Sequence, residues 1–284
     1  SYNVDRLVVL TERAFDLSEA CSMPIFLNMR IRACHLTGSF KAKDNKIGTF
    51  NANNPVPEQV YDVEKIVLPP ATYSHEKAKF ETRLPAAQRF ALDEKFNELF
   101  AGKGQDFGII TQGGTYTVLL RALRRLGMAD VYGNSDVPIL CLNLVYPLIP
   151  QEIMDFLSSK KNVLVVEEGN PNYIESQIAE IAQRNNYNCT IHGKGMLPMA
   201  GEYTSNVVRE GVAKFLIDVL PEGENSTPGK VEKEILEKAK KSLSHIKEPM
   251  PPRPPSFCTG CPERPIMAAL KPVSYTHLTL PTKA

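Results

Sequence analysis

Cys258-Thr259-Gly260-Cys261-Pro262 is the one stretch of this chain with the spacing of metal ligands. Two thiolates three positions apart can face a single soft metal ion, and Gly260 between them lets the backbone turn tightly around it. A zinc ribbon needs a second such pair, and an iron–sulfur cluster normally takes four protein ligands; neither complement is present in the sequence. A thioredoxin-like redox pair sits at a helix start after a strand, whereas this pair follows a proline-rich arm. Two readings of Cys258 and Cys261 stay open: metal ligands, or two thiols buried in a turn. Residue type and spacing identify no catalytic residue.

Other polar groups offer weaker chemistry. Gln112-Gly113-Gly114 follows a strand and could cradle a phosphate at the next helix N-terminus, but it lacks the dinucleotide fingerprint, and a tight turn is the better reading. Glu167-Glu168 stands at the carboxyl end of a strand, where α/β sites gather. Adjacent strand residues face opposite ways, so a joint acid–base role is disfavoured, and one of the two is expected to cap or pair locally. Arg32 and His35 are read as structural. His192-Gly193-Lys194 is read as a loop that closes its domain, and Arg121, Arg124 and Arg125 as a solvated helix face or a partner contact.

The elements that must position these residues follow from periodicity. Leu7, Leu10, Ala14, Leu17 and Ser18 recur at helical spacing, and Met23–Leu27 then predicts a short buried strand with a turn at Thr37-Gly38-Ser39. Residues 41–70 read as an extended connector, and His75 to Phe100 as helical apart from Pro85. Between 106 and 220, apolar strands at 107–111, 138–144, 162–167 and 189–191 alternate with helices at 116–126, after Pro150, and at 173–183. Apolar strands without alternation, separated by helices, predict a parallel sheet covered on both faces. A polar linker at 221–229, a charged helix over 231–245 and a stiff polyproline-type arm at 248–255 lead to the cysteine pair, after which Arg264 to Lys271 begins another helix.

Composition bounds the partners. The net charge of +1 gives no basic field for nucleic acid or an anionic membrane, and the absence of Trp leaves little for base stacking. A hydrophobic share of 43% and a charged share of 23% are ordinary for a globular protein. No uninterrupted apolar run could span a bilayer, and the opening residues do not form a signal peptide. Six cysteines, four isolated and two in a close-spaced pair, suit a cytoplasmic protein better than a secreted disulfide scaffold. With no initiator Met, the chain is expected to start inside a longer product.

The order of motifs resembles the large subunit of the indolepyruvate:ferredoxin oxidoreductases, within the 2-oxoacid:ferredoxin oxidoreductase superfamily. The matching pieces are Arg32-Ala33-Cys34-His35, Val67-Leu68-Pro69-Pro70-Ala71, Gly108-Ile109-Ile110-Thr111, Val145-Tyr146-Pro147-Leu148, Val163-Leu164-Val165-Val166-Glu167-Glu168, His192-Gly193-Lys194 and Arg253-Pro254-Pro255-Ser256-Phe257-Cys258-Thr259-Gly260-Cys261-Pro262-Glu263-Arg264. The resemblance runs from the start to about residue 270. It implies an α/β chain with a central Rossmann-like domain of the transketolase C-terminal type, flanked by truncated thiamin-enzyme modules. In that layout 1–40 is the tail of a pyrimidine-binding domain and 41–105 a connector with a helix. Residues 106–220 are the α/β domain, 221–256 a helix and proline-rich linker, and 257–270 the opening of a diphosphate-binding domain.

The implied reaction is oxidative decarboxylation of an aryl 2-oxoacid to an acyl-CoA, with electrons leaving for ferredoxin. It implies thiamin diphosphate with Mg2+, [4Fe-4S] clusters, coenzyme A as co-substrate, ferredoxin and a small subunit or fused equivalent as partners, and an oligomer. Cys258 and Cys261 are by resemblance cluster ligands. The acidic diphosphate and magnesium motif is missing downstream of Cys261, and the carboxylate that activates the thiamin pyrimidine would lie upstream of Ser1. These 284 residues alone are therefore expected to be an inactive fragment. Residues 271–284 resemble a translated sequencing adapter and are expected to be a non-native tail. The competing readings are a non-redox, transketolase-like thiamin module and a zinc-binding assembly module without catalysis.

Overall fold

The computed structural model describes residues 3–30, 34, 37–44, 48, 50–58, 60, 62, 66–103, 106–246, 248, 261 and 263–277. Arg32, His35, Cys258, the proline-rich arm at 249–255 and residues 278–284 lie outside the described residues. The chain divides into two compact units, Ser1–Leu236 and Glu237–Ala284.

The first unit is built on a five-stranded sheet: β1 (Glu98–Phe100), β2 (Phe107–Gln112), β3 (Ile139–Leu142), β4 (Asn162–Val166) and β5 (Thr190–His192), in the order β1-β3-β2-β4-β5. Pairing among β2 to β5 is parallel, as the unalternating apolar runs predict. Ile109, Ile139, Cys141, Leu164 and Val166 bury one face of the sheet. Ile110, Leu140, Leu142, Val163 and Val165 bury the other. Side chains of successive strand residues leave on opposite faces, so a strand buried twice must be apolar throughout. Between the strands lie α4 (Tyr116–Arg125), α5 (Pro150–Leu157) and α6 (Tyr173–Arg184), followed by α7 (Ser205–Val219) and α8 (Thr227–Leu243). Helices α4 and α7 cover the first face through Leu119, Leu123, Val208, Val212 and Phe215. The second is covered by α5 and α6 through Ile153, Phe156, Ile174 and Ile178.

To the expected parallel set the structure adds one antiparallel strand at the edge, so the whole sheet is mixed. Glu98–Phe100, expected to be helical, runs antiparallel to β3 with Phe100 opposite Ile139. The helix stops short because Lys95 takes a left-handed conformation (φ 52°) and the Phe96 N–H returns to Ala91 O. The Asn97 carboxamide then accepts from the N–H groups of Asn143 and Leu144 at 2.8 and 2.9 Å, fixing the next residues against the β3 edge.

N-terminal to the sheet, α1 (Val4–Cys21) is capped by Asn3, whose side chain accepts from Arg6 N at 2.7 Å. Its Leu10, Leu17 and Cys21 pack on Ala87, Ala91 and Phe96. The charged region expected as helix comprises α2 (Ala71–Ala78), a wider π-type segment (Lys79–Arg83) and α3 (Leu84–Asp93). Pro85 lies in the first turn of α3, where its missing N–H costs least. Met23–Leu27 is not a strand: no neighbouring strand pairs with it, and Phe26 is 90% exposed.

Helix α7 was not anticipated from the sequence. Its Gly211 lies where a Cβ would come within 2.3 Å of the Leu197 side chain, so the incoming loop can press directly on the helix. Arg209 of α7 is buried and paired with Glu232 of α8, which ties these two helices together. The expected polar linker before α8 contains a short 3-10 turn (Gly223–Asn225), and the helix itself begins inside it at Thr227. In the second unit, beyond the end of α8, α9 spans Glu263–His277.

Candidate functional site

β2 and β4 are neighbours at the centre of the sheet, yet the connection after β2 leads to β3 on one side and the connection after β4 leads to β5 on the other. The loops at their carboxyl ends diverge, which opens a crevice at the point where the strand order reverses. Gln112 ends β2, and Glu167-Glu168 follow β4 at that crevice. The Gln112 carboxamide oxygen accepts from Glu168 N at 2.9 Å and so joins the two strand ends.

The two carboxylates have separate partners. Glu167, buried, accepts from Ile174 N at 3.0 and 3.1 Å and from Glu175 N at 3.0 Å. These are N–H groups of the first turn of α6, which have no partner within the helix, and a carboxylate also suits the positive end of its dipole. Glu168 pairs with Arg30 and accepts from Tyr203 N at 3.3 Å. The Arg30 guanidinium further donates to Gly114 O at 3.2 Å and to Tyr203 O at 3.4 Å. One side chain from the N-terminal segment thus joins the ends of two strands and the 203 loop.

Lys194 closes the far side. Its Nζ donates to Glu167 O at 2.6 Å, Gly169 O at 2.7 Å and Tyr203 Oη at 2.9 Å. Burial lowers the lysine pKa, against the opposing pull of Glu167, Glu175 and Glu168. The Tyr203 phenol is pushed up to about 12 by burial and by Glu167, Glu168 and Glu175. It keeps its proton and donates to Pro198 O at 2.8 Å. A Cβ at Gly193 would sit 2.2 Å from the Glu175 carboxylate, so a larger residue there would displace that side chain from Lys194 N.

Beside this frame is a cavity of about 410 Å³, lined by Gln112, Tyr146, Asn170, Tyr173 and Gln177 with Val145, Gly169, Pro171, Ile174 and the two glutamates. The Tyr146–Pro147 and Asn170–Pro171 peptide bonds, in two of the loops that frame it, are both cis.

Gln112-Gly113-Gly114 is a tight turn rather than an open phosphate cradle: Gly113–Thr115 form a short 3-10 turn, and the Gly114 carbonyl is taken by Arg30. Of His192-Gly193-Lys194, expected as a loop, His192 ends β5 and Lys194 reaches back to the Glu167 and Gly169 carbonyls. The Arg121, Arg124 and Arg125 side chains are exposed on α4. The structure brings together Gln112, Glu167, Glu168 and Lys194, and adds Arg30, Tyr203, Tyr146 and Tyr173. Nothing in the spacing marks those four, since Arg30 lies in a segment without periodicity and the tyrosines are isolated. Cys261 is half-buried, with Arg264 N donating to its carbonyl at 3.2 Å, and its companion Cys258 lies outside the described residues. Among the described residues no group of three or more His, Cys, Asp or Glu side chains is placed to hold a metal ion. Glu167 and Glu168 are already engaged by N–H groups and Arg30. The described residues of the crevice therefore offer no ligand set for a magnesium-bound diphosphate, and of the cysteine pair only Cys261 is among the described residues.

The fold and crevice define an α/β protein with its site at the carboxyl edge of the parallel strands. No family model matches the chain. It is 30% identical over 286 residues to an indolepyruvate oxidoreductase subunit IorA from Pyrococcus horikoshii, covering 96% of this chain and 39% of that protein. It is 28% identical over 269 residues to the subunit of the same name from Methanothermobacter marburgensis, covering 92% of this chain and 38% of the relative. Over nearly its whole length this chain is a relative of these IorA subunits, in agreement with its order of motifs, and it spans well under half of their length. A 2-oxoglutarate:ferredoxin oxidoreductase from Magnetococcus marinus superposes with a TM-score of 0.34 at 20% identity, covering 69% of this chain and 29% of its own. A likeness at that level adds nothing to the argument.

Proposed function

We propose that the chain is part of a thiamin-diphosphate-dependent oxidoreductase that oxidatively decarboxylates an aryl 2-oxoacid of the indolepyruvate type. The acyl group passes to coenzyme A and the electrons to ferredoxin, by way of [4Fe-4S] clusters and with Mg2+ at the thiamin diphosphate. The observation that carries this reading is the similarity to IorA subunits across more than nine-tenths of the chain. In this reading residues 1–40 close a pyrimidine-binding module, 106–220 form the central α/β domain and 257–270 open a diphosphate-binding module. The central domain orients those modules and does no chemistry, which accords with Glu167 and Glu168 serving as cap and ion-pair partner. Cys258 and Cys261 would supply part of a cluster's ligands. The complete enzyme works with a small subunit or its fused equivalent in an oligomer in the cytoplasm, and the 284 residues by themselves are inactive. No helix among the described residues is long and apolar enough to cross a membrane.

The test uses the full-length gene product with its partner subunit, purified without oxygen. Expected is ferredoxin reduction that requires an aryl 2-oxoacid, thiamin diphosphate and coenzyme A, with lower iron and acid-labile sulfide in C258S and C261S. Faster reduction with pyruvate or 2-oxoglutarate would overturn the substrate assignment. Zinc without acid-labile sulfide, and no reduction with any 2-oxoacid, would replace the enzyme with a zinc-binding assembly module.

A further inference from the structure

We propose that the switch-point cavity binds a neutral, planar, nitrogen-containing heterocycle of the nucleobase class, at a site separate from the 2-oxoacid chemistry. The volume, about 410 Å³, lies within the range of small-molecule sites and suits a ligand of nucleoside size. Its lining has a definite chemical character. Gln112, Asn170 and Gln177 contribute three carboxamides, the oxygen of Gln112 being already engaged by Glu168 N. Tyr146 and Tyr173 contribute aromatic rings that are 57% and 66% exposed, so a flat ligand could cover ring surface now facing water.

The charged groups argue against an anion. Glu167 and Glu168 both line the cavity. The cations nearest them are turned to other partners: Arg30 to Glu168, Gly114 O and Tyr203 O, and Lys194 to Glu167 O, Gly169 O and Tyr203 Oη. A phosphate or a 2-oxoacid carboxylate entering here would find both carboxylates already engaged and no ammonium or guanidinium among the described lining residues to pair with. A neutral heterocycle needs no such counter-charge and can use the donors and acceptors that the carboxamides have left. Stacking on tyrosine works with any flat π-face, while the carboxamides select for ring nitrogens and amino groups.

The test is calorimetric titration of the 284-residue chain with adenosine, with 5'-AMP and inorganic phosphate as anionic comparisons. The chain contains no Trp, so the change in tyrosine fluorescence that is lost in Y173A supplies a second readout. Expected is saturable adenosine binding that weakens about tenfold in both Y173A and Q177A, with 5'-AMP no tighter than adenosine. Both variants should keep the wild-type melting temperature; if Y173A does not, Y146A takes its place. The proposal is overturned by no saturation up to about 10 mM adenosine, which is weaker than any useful small-molecule affinity. It is also overturned by equal affinity in wild type and variants, or by 5'-AMP or phosphate binding tenfold tighter than adenosine. The measurement involves no turnover, so its outcome is independent of whether the oxidoreductase reading stands.

Discussion

Residues 107–192 and residues 23–70 carry similar apolar side chains and treat them in opposite ways. In the first region Ile109, Ile139, Leu164 and Val166 have no measurable exposure, and Ile110 and Val163 are as deeply buried on the other face. In the second, Phe26 is 90% exposed, Val60 91% and Val67 78%. The difference lies in partners. A parallel strand gains hydrogen bonds from its neighbours and apolar contacts from the helices that its own crossovers supply. The described part of the N-terminal segment pairs with no strand of the sheet, and of its apolar side chains only Met23 and Ile25 pack against a core cluster, that of α1 and α3. Local hydrophobicity states a need for burial; topology decides whether it is met.

The deepest test of that contrast is the ion pair inside the covered region. Glu232→Ala would leave Arg209 buried beside only the half-exposed Glu210, and is expected to lower stability by about 3–5 kcal/mol in denaturant unfolding. The double replacement Arg209→Met with Glu232→Leu should recover most of the loss, because the cost comes from stranding one charge. Recovery no better than in the single variant would mean that the pair contributes net attraction.

A step smaller is Leu164→Ala in β4, which removes apolar contacts from a fully buried position and should cost about 2–5 kcal/mol. Phe26→Ser in the N-terminal segment should stay within about 0.5 kcal/mol of wild type. Similar losses for the two substitutions would show that the N-terminal segment is folded against something in solution, and the contrast between the regions would fail.

The same distinction sets what could be read from the sequence. β2 to β5 and the helices between them were legible, because unbroken apolar runs joined by amphipathic helices have few other ways to fold. β1 was not: Glu98, Leu99 and Phe100 carry no signal of their own and become a strand because Asn97 reaches Asn143 and Leu144, some 46 residues away. Met23–Leu27 failed for the converse reason, having strand composition without a sheet edge to join. At the site, the rule that one of Glu167 and Glu168 should cap or pair locally anticipates part of what is seen, although both stand just past the end of β4 and both are engaged. Arg30 was not anticipated, since it meets Glu168 across 138 residues and nothing near it in sequence points to that contact.

Arg30 is also where the two regions meet, so it sharpens the comparison. Arg30→Met keeps the aliphatic stem and removes the guanidinium that holds Glu168, Gly114 O and Tyr203 O. The expected loss of global stability is about 1–3 kcal/mol, the range for hydrogen bonds to charged groups. Hydrogen exchange should accelerate at residues 23–30 and at Tyr203, and remain unchanged in β2 and β4. Faster exchange in the strands themselves would mean that Arg30 supports the sheet rather than the segment crossing its edge.

The smallest expected effect tests the join between α5 and the β1 turn. Glu152 is partly buried, and its desolvation raises the carboxyl pKa, partly offset by the Asn97 amide that donates to it at 2.6 Å. A carboxyl titrating higher in the folded chain than in the unfolded one favours folding at acid pH, and that advantage is lost as the pH rises through its folded value. Glu152→Gln keeps an acceptor for Asn97 and removes the buried charge. The variant should therefore melt slightly above wild type at neutral pH, and the gap should close as the pH falls through the carboxylate range. A gap that stays constant with pH would assign the gain to packing, and a lower melting temperature at pH 7 would show that the charged hydrogen bond to Asn97 outweighs the desolvation of Glu152. In that second case the β1 turn would be held by electrostatics, unlike the sheet edge it joins.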